Sequence, residues 1–153
     1  MQLMSNPRAE QRLWVGLIAF GGVLAGCGVL VRDITDGGND QWTFLFDTIG
    51  LIVALLGGCL DFRTTLKYGE YDVAAARRRG TILVLVGLVL GVGGCWMVGW
   101  VLDTGTPPLL RATLSGAMTA GIAAGIGGLL HIGWFSSGDH IERRIAQRAE
   151  EEW

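Results

Sequence analysis

Hydrophobic positions along this chain run together in long blocks, and the polar positions collect between them. Uncharged stretches cover Leu13 to Val31, Thr48 to Leu60, Gly80 to Leu102 and Ala112 to Gly138. A helix rises about 1.5 Å per residue, so crossing ~30 Å of hydrocarbon takes about 20 apolar residues. Three stretches reach that length unaided. The second does so only by taking in Asp47 and Asp61. The pattern predicts an all-α, polytopic membrane protein, a compact bundle of four transmembrane helices at about 13–32, 43–62, 80–102 and 110–135. Residues 1–136 then form one transmembrane domain, and residues 137–153 a charged, amphipathic cytoplasmic tail with Ile141, Ile145 and Ala149 on one side.

Breaks between the blocks carry turn chemistry. Gly37-Gly38-Asn39-Asp40 reads as the tip of the first loop, and Thr106-Pro107-Pro108 as a stiff turn after which the fourth helix starts. Residues Glu70 to Arg79 extend the third helix beyond the membrane. Leu24-Ala25-Gly26-Cys27 matches a bacterial lipoprotein cleavage box, but the apolar run continues through Gly28-Val29-Leu30-Val31. The first span is therefore read as retained.

Charge distribution sets the orientation. With both termini in the cytoplasm, ten of the twelve Lys and Arg lie inside and only Arg32 and Arg111 outside. The positive-inside rule predicts that topology in a cell membrane. Trp14 and Trp134 then mark the inner interface, Trp42 and Trp100 the outer. At 17% charged residues the chain falls well below the roughly one quarter usual for soluble domains.

Lipid is as apolar as leucine, so membrane helices associate through small residues and polar contacts. On the second span Asp47, Gly50, Ala54, Gly57, Gly58 and Asp61 share one face. On the fourth, Ala117, Ala120, Ala124, Gly127, Gly128 and His131 do the same, and the third aligns Gly87, Gly91 and Gly94. These are the predicted packing faces. They also carry the candidate chemistry, because a charge inside the bilayer turns toward protein or water.

Three readings of Asp47, Asp61 and His131 follow. Asp47 and Asp61 are carboxylates at the membrane interfaces, with Asp61 paired to Arg63 or Lys67; or they form structural bonds, with Asp61 hydrogen-bonded to His131; or all three are relays of a proton or cation path. Arg77, Arg78 and Arg79 are candidate contacts for lipid headgroups. No phosphate-binding loop, His-Glu-x-x-His, paired Cys-x-x-Cys or nucleophile elbow occurs. No metal, cofactor or nucleic acid is expected. The functional expectation is a non-enzymatic membrane component, a subunit, assembly factor or regulator. It would sit in the lipid bilayer as a homo-oligomer or with a membrane-protein partner, acting through its helix faces and tail. The alternative is a small oligomeric proton- or cation-linked transporter or channel.

Overall fold

The computed structural model describes residues 7–35, 40–68, 73–101 and 105–136. Helices α1 (Pro7–Ile34), α2 (Asp40–Tyr68) and α5 (Pro108–Ser136) are continuous. The third span is composite: α3 (Val73–Gly87), a π-helical turn at Leu88–Val92, then α4 (Gly93–Val101). Four helical stretches are thus long and apolar enough to cross a membrane, and the fold is that of a multi-pass, all-α membrane protein. The predicted tail and the tip of the first loop lie outside the described residues.

Every helix overshoots its predicted span. Charged side chains mark where hydrocarbon ends, not where a helix must stop, so α2 continues past Asp61 and α3 begins ahead of Arg77-Arg78-Arg79. Prolines open α1 and α5 at the first helical position, where the absent N–H is not missed. The fourth span therefore starts at Pro108 itself. Gly105 precedes it with φ 66°, a turn conformation that side chains disfavour.

Three helices, α1, α2 and α5, pack against one another, and the third span leans on α5 with hardly any contact to α1 or α2. Glycine brings the backbones together. A Cβ built on Gly50 would stand 2.6 Å from the Gly21 carbonyl oxygen, and one on Gly22 2.6 Å from that of Gly116. Along the third span, a Cβ on Gly87 would lie 2.5 Å from Gly125 Cα, and one on Gly121 2.5 Å from the Gly91 nitrogen. The centre is closed by Ile18, Ala54 and Ala123, with Leu55 and Ala120 packed against them. Gly50, Gly57, Gly58, Gly94, Ala124, Gly127 and Gly128 are likewise buried, and Ala117 is partly so. Ile52, Leu56, Ile122, Ile126 and Leu129 point outward from the same helices.

Candidate functional site

At one end of the bundle all four spans contribute to a single polar cluster. Asp61 of α2 and His131 of α5 are both fully buried, the largest side chains in the described structure to be so. Arg79 of α3 grips the carboxylate edge-on, Nη2 to Oδ1 at 2.5 Å and Nε to Oδ2 at 3.1 Å. Such a two-pronged pairing is stronger and more directional than a single contact. Its remaining Nη1 donates to Gln11 Oε1 of α1 at 3.2 Å. The Arg79 side chain stays 28% exposed.

Local sequence explains the fit. Gly80 follows Arg79, and a Cβ there would stand 2.7 Å from the His131 Cβ. Glycine lets α5 bring its histidine flush against α3. Phe62 meets the imidazole edge-to-face at 5.3 Å, and Trp134 packs on Phe62 at 6.2 Å. On the adjoining side the Trp14 indole donates to Thr64 Oγ1 at 2.7 Å. Both tryptophans assigned to one interface therefore frame this end.

Hydrogen-bond accounting makes His131 a proton-ambiguous group. Nδ1 lies 2.7 Å from the Gly127 carbonyl, which only accepts, so Nδ1 carries a proton and donates. Nε2 lies 3.0 Å from Thr65 Oγ1, and that hydroxyl is also 3.0 Å from the Asp61 backbone carbonyl. Thr65 has one proton to give. If it goes to the carbonyl, Nε2 must donate and the ring is an imidazolium; if it goes to Nε2, the ring is neutral. A rotation of one hydroxyl separates the two states. Asp61 Oδ2 stands 3.7 Å from Nε2, too long for a hydrogen bond.

Two expectations are corrected here. Asp61 and His131 do meet, yet without a direct hydrogen bond, because Arg79 occupies the carboxylate and Thr65 stands beside the ring. Asp61 pairs with Arg79 and not with Arg63, which stands two residues along the same helix and so points away; Lys67, six residues along, is turned about 120° from it at 100° per residue. Arg79, unlike the exposed Arg77 and Arg78, turns two of its guanidinium nitrogens onto Asp61 and stays partly exposed.

Asp47 is not part of this cluster. It lies toward the far end of α2 against Gly28 of α1, where a Cβ would come 3.0 Å from its Oδ1. That oxygen is buried without a hydrogen-bond partner, as is Oδ2 of Asp33. The other oxygen of Asp33 takes Arg111 Nη1 at 3.3 Å, and the same guanidinium donates to the Thr106 carbonyl at 3.1 and 3.0 Å. A second clasp thus ties α5 to α1 at the opposite end.

Neither arginine was paired with its aspartate from the sequence, although a signal existed. Asp61 closes one uncharged run and Arg79 opens the next, which puts them at one level of one hairpin. Asp33 and Arg111 flank their runs in the same way on the other side.

No protein-family model, curated protein or solved structure matches this chain. The site's chemistry must be read from its own atoms. Among the described residues no group of three metal-ligating side chains comes together, and the thiols of Cys27, Cys59 and Cys95 are exposed and free. What the cluster can do is compensate a buried carboxylate, tie helices together and hold or release one proton.

Proposed function

We propose that the protein is a non-enzymatic component of a cell membrane, a subunit, assembly factor or regulator, with both termini in the cytoplasm. The observation that carries this reading is the closed middle of the bundle. Between the two polar ends lie Ile18, Ala54 and Ala123 and glycine seams with backbone in contact. The charged groups are arranged as clasps at helix ends, Asp61 with Arg79 and Asp33 with Arg111. Such a body presents fixed outer faces to other membrane proteins. Its most available face is the third span, which leans mainly on α5 and exposes Leu85, Val89, Val92 and Trp96.

A proton- or cation-linked transporter built on Asp47, Asp61 and His131 is the second reading. The unpartnered oxygen of Asp47 and the proton-ambiguous His131 favour it. Purification from native membranes in mild detergent, followed by mass spectrometry, separates the two. The component reading predicts a stoichiometric membrane-protein partner that is lost on deleting Asp139 to Trp153. A homo-oligomer that purifies alone and moves protons in vesicles would contradict it. Labelling a cysteine introduced at Gly38 from outside intact cells checks the orientation: labelling is expected, and protection would reverse the topology.

A further inference from the structure

Because the third span leans on α5 and scarcely touches α1, a lateral cleft of about 570 Å³ opens between α1 and α3. Its floor is small: Ala19 of α1 with Ala120 and Ala124 of α5. Its far wall is Leu83, Val86 and Leu90. Arg78 and Arg79 stand at its mouth, and every other lining residue is apolar. A second cavity of about 300 Å³ adjoins it, sharing Val15 and Arg79 and bounded also by Arg8, Gln11 and Arg12.

We infer that this cleft is a binding site for one anionic phospholipid, its phosphate among Arg12, Arg78 and Arg79 and an acyl chain lying along Leu83, Val86 and Leu90 against the alanine floor. Three observations converge on that occupant. From Arg79 to Leu90 the cleft runs about 17 Å along the helix axis, close to half of the ~30 Å hydrocarbon core and so the depth of one leaflet. Its polarity is divided as a lipid's is, with cationic groups at the surface and apolar ones below. Arg12 and Arg78 are exposed and have no ion-pair partner among the described residues, so an anion is the complement they lack. This inference stands independently of the component reading.

The test uses the full chain in detergent, mixed with equal amounts of phosphatidylglycerol and phosphatidylcholine and examined by native mass spectrometry. The protein should retain phosphatidylglycerol over phosphatidylcholine by about 25-fold, since Arg12 and Arg78 near a membrane surface each add roughly a factor of five toward anionic lipid. Arg12→Gln with Arg78→Gln should bring the two lipids near parity. Ala19→Phe, which fills the cleft from α1, should lose retained lipid of both kinds while circular dichroism stays helical. Equal retention of both lipids by the unaltered protein would overturn the inference, as would an undiminished preference in the double variant. Lipid still held by Ala19→Phe, or a dimer that this substitution dissolves, would do so too.

Discussion

Removing the Arg79 guanidinium would leave the Asp61 carboxylate buried with its charge uncompensated, and breaking a buried pair in this way costs about 3–5 kcal/mol. Removing the carboxylate instead is cheaper, because Arg79 is 28% exposed and can turn toward water. Arg79→Gln should therefore lower the unfolding midpoint in detergent more than Asp61→Asn, and the double variant should recover most of the loss. Additive single effects would mean that the pair does not act as a unit. Thr65→Val belongs to the same scale. It removes the hydroxyl beside Nε2 and the Asp61 carbonyl, with an expected cost of about 1–3 kcal/mol in the same melts. Asp61 and His131 were legible in the sequence because their helical spacing put them on glycine-rich faces. Arg79 was not, because partners were sought along the aspartate's own helix, whereas the pairing spans two adjacent run boundaries.

At the scale of the helix, glycine has two different consequences within one element. A Cβ on Gly16 meets nothing within 4 Å, whereas one on Gly21 would run into the Gly50 carbonyl and the Ala54 backbone. Gly16→Ala should leave α1 unchanged or gain up to about 1 kcal/mol from helix propensity. Gly21→Ala should cost about 1–3 kcal/mol by forcing α1 and α2 apart. Thermal melts of the two variants side by side check this, and equal effects would mean that the seam is loose. The number of spans and their buried faces were readable from the blocks of apolar residues and the small-residue spacing. The π-turn at Leu88–Val92 was not, because nothing in an apolar run distinguishes one hydrogen-bond register from the next. Nor was the leaning of the third span on α5. Lipid and protein are equally apolar neighbours, so hydrophobicity does not say which helix touches which.

Across the whole molecule, each end is held by an arginine on one helix and an aspartate on another, with a tightly packed centre between them. Such a body keeps its helices in fixed relation and leaves its outer faces and one lateral cleft for other molecules. On the function proposed above, Asp61, Arg79 and His131 hold the bundle together and are not steps on a route through it. The most direct test is proton flux into phospholipid vesicles holding the purified protein, read with an entrapped pH dye under an imposed gradient. Flux no higher than in protein-free vesicles is expected, together with a lowered unfolding midpoint for Asp61→Asn. Gradient-driven flux that Asp61→Asn abolishes, with the midpoint unchanged, would contradict it.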